Sequence, residues 1–238
     1  MGILDRLGVK PFAVIGHRGS SSRYPENTIA AIEYAISTGV DIVEVDIRST
    51  RDGKLVVFHD PDFKRLFGID GKLRDVTYDW IRSSLRLGDQ TIPLLEEVLD
   101  TVKNRVGLFA EIKEPEITEK VVETIREYGL VGDTAIISFY DEALEIAKRV
   151  EPGIVTGLIY YKPPGRIIDA KKLGASIVLP RYTIATAKAN ELAHRLGLKV
   201  VVWTVNDVET AREMVKRGAD GIATDYPEKI IELRTKYY

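Results

Sequence analysis

The sequence predicts an α/β fold, a (β/α)8 TIM barrel with a β-hairpin and a short insertion after its second strand. Three observations carry this. Short β-branched runs alternate with segments of helical period along most of the chain. Eight such runs are each followed by a helix, which implies parallel strands; eight units in 238 residues suit a closed barrel with helices outside. A Gly-Ala-(Asp or Ser) phrase also recurs before strands, at Gly174-Ala175-Ser176 and Gly218-Ala219-Asp220. A doubly wound open sheet is the alternative. Its glycine-rich nucleotide loop is missing, because Gly16-His17-Arg18-Gly19 lacks that spacing.

In chain order, 12–15 is a short apolar run that reads as strand one. Asn27 or Thr28 can cap the following helix, where Ile29, Ile32, Ala35 and Ile36 recur at helical spacing, and Gly39 can end it. Ile42, Val43, Val45 and Ile47 give strand two its β-branched character. Asp52-Gly53 supplies a tight turn, and 55–58 is the return strand of a hairpin. With those two residues as the loop, Arg51 pairs with Lys54 and His59 falls opposite Asp46. Residues 61–92 have no strong period and many turn residues, so a partly helical insertion near the barrel mouth is expected. A helix is predicted at 93–103. Strands then follow at 106–112, 134–139, 154–160, 176–179, 199–205 and 221–224. Helices at 118–128, 141–150, 164–173, 184–196, 207–217 and 227–235 alternate with them. No linker or low-complexity segment divides the chain, so 1–238 is expected to be one domain.

Composition narrows the class. Hydrophobic residues at 45% and charged residues at 29% describe an ordinary globular protein. A formal charge of −2 gives no reason to expect nucleic acid or an anionic membrane as the main partner. The absence of cysteine excludes disulfides, thiolate catalysis and cysteine zinc sites. Residues 1–12 lack the apolar core of a signal peptide, and no run approaches the ~20 apolar residues of a membrane span. A soluble, cytoplasmic protein with a small-molecule partner is expected.

Polar residues collect where a barrel places its site, at the C-terminal ends of the strands. Strand one ends in His17 and Arg18. Glu44 and Asp46 lie two apart in strand two, so both point one way, which is costly unless something cationic sits between them. The hairpin brings back His59. Glu111 and Lys113 share a face of the next strand, and Trp203, Asn206, Thr224 and Asp225 end the last two. Two of the chain's three histidines fall in this set. Glu44, Asp46 and Glu111 are hard oxygen donors suited to Mg²⁺ or Ca²⁺ rather than zinc. Arg18 and Lys113 suit a phosphate. Two histidines can divide base and acid work near neutral pH. Together these types suit displacement at phosphorus, where charge on the equatorial oxygens must be stabilised. Plainer readings stand beside these. The carboxylates can be paired with barrel-interior cations, Glu111 with Lys113 among them. His17 can serve the core, Trp203 can be packing rather than a pocket wall, and Asn27 a helix cap. Asp225 reads as organising the start of the last helix, and His194 as surface.

The chain resembles the glycerophosphodiester phosphodiesterase family nearly end to end. The carriers are His17-Arg18-Gly19, Pro25-Glu26-Asn27-Thr28, Glu44-x-Asp46, Asp52-Gly53 to His59-Asp60, Glu111-x-Lys113, Trp203-Thr204-Val205-Asn206 and Thr224-Asp225-Tyr226-Pro227. The resemblance implies a hydrolase of glycerol and lipid metabolism. It would cleave glycerophosphodiesters to glycerol 3-phosphate and an alcohol with one divalent cation, Mg²⁺ or Ca²⁺, with Mn²⁺ a third candidate. By motif, Glu44, Asp46 and Glu111 match the metal ligands, His17 and His59 the acid–base pair, and Arg18 and Lys113 the phosphate contacts. It also implies first attack by the hydroxyl next to the phosphorylated carbon, giving a cyclic phosphate that water then opens. The chain departs at Arg65-Leu66-Phe67, where the family carries Arg-Thr-Thr, and at Pro93-Leu94-Leu95-Glu96, where it carries Pro-Thr-Leu-Glu. These departures bear on the alcohol group. The rivals are a lysophospholipase D-type enzyme of the same fold, favoured if Leu66 and Phe67 are exposed at the mouth, and an inactive barrel that binds phosphorylated ligands.

Overall fold

The computed structural model describes residues 1–237. Among them, nine strands form one sheet. They are β1 (Ala13–Gly16), β2 (Ile42–Ser49), β3 (Leu55–Val57), β4 (Gly107–Ile112), β5 (Thr134–Ser138), β6 (Val155–Tyr160), β7 (Ile177–Pro180), β8 (Lys199–Val202) and β9 (Gly221–Thr224). β1 pairs in parallel with both β2 and β9, which closes eight strands into a barrel and excludes the open sheet. β3 is additional, antiparallel to the end of β2.

Strand alternation divides the apolar residues into two shells. Val43, Val45, Ile136, Val178 and Val200 face outward onto helix residues such as Ile32, Leu99, Val122 and Leu144. Ile15, Ile42, Phe109, Ile137, Leu179 and Val201 fill the barrel interior. The inward files change character with height. Ile15 is followed two residues on by His17, Ile42 by Glu44 and Asp46, and Phe109 by Glu111 and Lys113. The floor is therefore apolar and the mouth polar.

A helix that the sequence reading did not anticipate, Ile3–Arg6, plugs the bottom. Ile3 and Leu7 are buried in the interior cluster. Gly107 makes room for the plug, since a Cβ there would lie 2.7 Å from both Ile3 Cδ1 and Arg6 Cδ. Thr28, not Asn27, caps helix Ile29–Thr38, and Gly39 ends it at φ +87°.

β2 is long because it serves two partners on one edge, β1 at 42–43 and β3 at 47–49. The hairpin register differs by one residue from the sequence expectation. Thr50 pairs with Lys54, so the loop is 51–53 and Phe58, not His59, lies opposite Asp46. The cause is Thr50, whose hydroxyl donates to Asp52 at 2.7 Å and accepts from the Lys54 amide at 3.0 Å, holding a three-residue loop closed by Gly53 at φ +73°. Beyond β3, residues 61–92 form short helices around their own cluster of Phe58, Phe63, Leu73, Tyr78 and Ile81. Leu66 and Phe67 pack half-buried against that cluster.

Gly19 offers a test of how tightly the first loop is built. Its φ is +82°, and a Cβ would meet backbone atoms of Ala31 and Ile32 at 2.6–2.8 Å; Gly39 has a similar φ and nothing within 4 Å. Gly39→Ala should cost roughly 1–2 kcal/mol, left-handed strain alone. Gly19→Ala should lose roughly 2–5 kcal/mol, strain plus overpacking. Urea midpoints of the two variants measure the difference, and equal losses would show that the loop yields.

Candidate active site

Glu44, Asp46 and Glu111 bring one carboxylate oxygen each to within 4.8 Å of one another, and all three side chains are buried. Their neighbours balance them unevenly. Lys113 Nζ lies 2.6 Å from Glu111 and 3.4 Å from Asp46, and Arg18 Nε 3.2 Å from Asp46. Burial raises the Asp46 carboxyl, but Lys113 and Arg18 outweigh it and hold the group well below the ordinary range. Among the described residues Glu44 has no Lys or Arg side chain paired with it, only His17, whose Nε2 lies 3.9 Å away. Burial, then the negative charge of Asp46, pushes it up to about 8. One Glu44 oxygen accepts from the Arg18 amide at 2.8 Å, while Oε1 is buried without a hydrogen-bond partner.

Asn27 completes this wall in a way the sequence reading missed. At φ 60° it sits beside the stretch of β2 edge between β1 and β3. Its carbonyl oxygen accepts from the Asp46 amide at 3.2 Å, and its Nδ2 donates to the Asp46 carboxylate at 2.8 Å. It positions a candidate ligand, and the capping falls to Thr28.

Each site histidine is held at Nδ1 by a carboxylate. His17 Nδ1 is 2.7 Å from Asp225, which also accepts from Ser21 and Asn206. Asp225 was read as organising the last helix; it orients His17 instead, and Asn206 holds Asp225. His59 Nδ1 is 2.6 Å from Asp60, its neighbour in sequence. The two rings are driven apart in basicity. Burial lowers both, but for His17 the Asp225 hydrogen bond and the Glu44 charge prevail and raise it. For His59 burial prevails over Asp46, with Lys113 and Arg18 opposing a positive charge, and the pKa falls.

His17, Arg18, Glu44, His59, Glu111 and Lys113 all line one cavity of about 250 Å³ at the barrel mouth. Its other side is apolar, formed by Phe139, Ile159, Tyr161, Leu179 and Trp203. Trp203 is thus both wall and packing, since its Nε1 donates to the Leu179 carbonyl at 2.7 Å. Tyr161 reaches the cavity, whereas Tyr160 turns into the outer shell. His194 lies apart, paired with Asp220 at 2.8 Å. The arrangement can hold a cation on oxygen donors, an anion against Arg18 and Lys113, and a proton on either of two unlike imidazoles. No helix among the described residues is long and apolar enough to cross a membrane.

The profile of the glycerophosphoryl diester phosphodiesterase family matches residues 17–229. A glycerophosphodiester phosphodiesterase of Caldanaerobacter subterraneus subsp. tengcongensis is 34% identical, over 94% of this chain and 98% of that protein. An Oleispira antarctica phosphodiesterase, solved in complex with the product sn-glycerol-3-phosphate, superposes with a TM-score of 0.84 at 27% identity, covering 93% of this chain and 96% of that one. A human lysophospholipase D is 25% identical over 91% of this chain and 84% of its own length. On the profile match across most of its length and on the closed barrel, the chain belongs to the glycerophosphoryl diester phosphodiesterase family.

Proposed function

We propose that the chain hydrolyses glycerophosphodiesters to glycerol 3-phosphate and an alcohol, using a divalent cation at Glu44, Asp46 and Glu111. One observation carries the reading: three buried carboxylates cluster within 4.8 Å, and two of them, Glu44 and Glu111, line a single cavity together with two cations and two carboxylate-held histidines. Family membership and the product bound in the Oleispira antarctica relative support it. The donor set fits Mg²⁺ or Ca²⁺, and Mn²⁺ by the same chemistry, because all donors are oxygens and Glu44 Oε1 lacks any other partner. When bound, the cation supplies a Lewis acid that stabilises charge on the phosphoryl oxygens.

The chain's own residues do the rest. Arg18 and Lys113 hold the phosphate beside the carboxylates. Asp60 is pulled below the ordinary carboxylate range: burial raises it, but Arg65 and His59 outweigh that. An ionised carboxylate only accepts, so Nδ1 of His59 carries the proton and Nε2 keeps a lone pair while the ring is neutral. Its lowered pKa suits a base that takes the proton of the attacking oxygen, which the family resemblance makes the neighbouring glycerol hydroxyl; the cyclic phosphate so formed is then opened by water to glycerol 3-phosphate. His17, held at Nδ1 by Asp225, whose hydrogen bond favours the charged ring, suits the acid that protonates the leaving alcohol.

The apolar cavity wall gives the lysophospholipase D-type reading some support. Leu66 and Phe67, whose exposure would have strengthened it, pack instead into the insertion's cluster. An assay of glycerophosphodiesters and lysophospholipids, each with Mg²⁺, Ca²⁺, Mn²⁺ or chelator, tests the proposal. Cation-dependent release of glycerol 3-phosphate is expected. An inactive chain that still binds these diesters would favour the third reading, a phosphate-ligand-binding barrel.

Two further outcomes follow from the pKa pattern. His17→Asn and His59→Asn should each lower turnover about 10²–10⁴-fold on an alkyl diester. A nitrophenolate-like leaving group needs no proton, so it should rescue His17→Asn and leave His59→Asn impaired; equal failure of both would contradict the division of labour. Burial and the Asp46 charge push Glu44 up to about 8 before the cation binds. Binding should therefore release close to one proton, and affinity should rise up to about tenfold per pH unit between about pH 6 and 8. Calorimetry in buffers of different ionisation enthalpy measures this, and zero release would mean Glu44 is already ionised.

A further inference from the structure

Arg65 stands outside the cavity on the short helix Lys64–Phe67 of the insertion, its side chain 46% exposed. Its guanidinium is nonetheless fully directed. Nε donates to Asp60 Oδ2 at 2.6 Å, Nη1 to Glu26 Oε2 at 2.8 Å and Nη2 to Glu26 Oε1 at 2.6 Å. The other oxygen of Asp60 holds His59 Nδ1, and Glu26 Oε1 also accepts from Arg18 Nη1 at 2.8 Å. A chain of alternating charge thus runs Arg18–Glu26–Arg65–Asp60–His59.

We propose that Arg65 is a positioning residue, which fixes the Asp60 carboxylate and through it the orientation and tautomer of His59. The proposal rests on the reading of His59 as the base. Asp60 is the covalent neighbour of His59 and shares its bend in the chain, so without a second anchor its carboxylate can turn and the imidazole with it. Arg65 supplies that anchor because Glu26 clamps it with two parallel hydrogen bonds, the geometry in which a guanidinium is most specific. Its backbone is anchored too: the Phe63 and Phe67 rings lie 6.0 and 6.2 Å from that of Phe58, the residue before His59. The plainer alternative is an exposed ion pair, which contributes about 0–1 kcal/mol to stability and nothing to chemistry. Lysine would separate the two, since a single ammonium keeps the charge but loses the planar fork that spans both carboxylates.

Arg65→Ala and Arg65→Lys in the full chain test this, each alone and combined with His59→Asn. Both single variants should lower kcat about 10–10²-fold, the scale of a misplaced catalytic group, with KM changed less than about threefold. In the His59→Asn background Arg65→Ala should change kcat by less than about threefold, because there is no base left to position. An equal loss in both backgrounds, or no loss in the wild-type one, would overturn the proposal. Nitrogen NMR of labelled histidine gives a readout independent of turnover. His59 should be a single Nδ1–H tautomer in the wild-type chain and a mixture in either Arg65 variant, with melting temperatures showing both folded. An inactive wild-type chain that shows this tautomer change would overturn the hydrolase reading and uphold the positioning role. An active one whose His59 tautomer and kcat ignore both substitutions would overturn the positioning role.

Discussion

Three carboxylates are buried within a few ångströms of one another against two cations, and the mouth of the barrel is arranged around that imbalance. Taking charge out of water is tolerated where opposite charge or hydrogen bonds replace the solvent. Asp46 has both, in Arg18, Lys113 and Asn27, and stays ionised. Glu44 has neither in full, and burial beside Asp46 raises its pKa. A divalent cation at these donors would supply positive charge, which a phosphodiester, with its single negative charge, would in part offset.

The fold imposes this imbalance through strand alternation. The inward file of β2 is Ile42, Glu44, Asp46 and that of β4 is Phe109, Glu111, with Lys113 the residue just past its end, and the register pairs Asp46 with Glu111. No loop rearrangement can separate these groups without unpairing the barrel. The histidines differ. They sit beyond the strand ends, at the first residue after β1 and in the bend after β3, and their aim depends on partners outside the barrel wall. Asp225 follows β9 directly and is braced by Asn206, whereas Asp60 leans on the insertion. His17 is thus oriented from the barrel and His59 from the insertion.

Legibility in the sequence followed the same division. Eight strands with their helices, and the convergence of Glu44, Asp46, Glu111, Lys113 and His17, were readable because period-two alternation and strand ends determine them. The hairpin register was not, because Thr50 widened the turn with a side-chain hydrogen bond that the Asp52-Gly53 signal does not encode. The N-terminal plug was missed because Ile3 and Leu7 offer a single helical repeat. Asn27 and Asp225 were visible as motif members, yet their contacts reach 19 and 208 residues along the chain. Local spacing carries no information at that range. The link from Arg65 to His59 likewise needs the insertion's own packing, which has no periodic signature.

The most direct test of the central claim is a crystal structure grown with Mn²⁺ and measured at the manganese absorption edge. One anomalous peak is expected about 2.0–2.5 Å from an oxygen of each of Glu44, Asp46 and Glu111, the range for hard cations on carboxylates. A peak elsewhere, or none there with Lys113 still closing the carboxylate cluster, would contradict it.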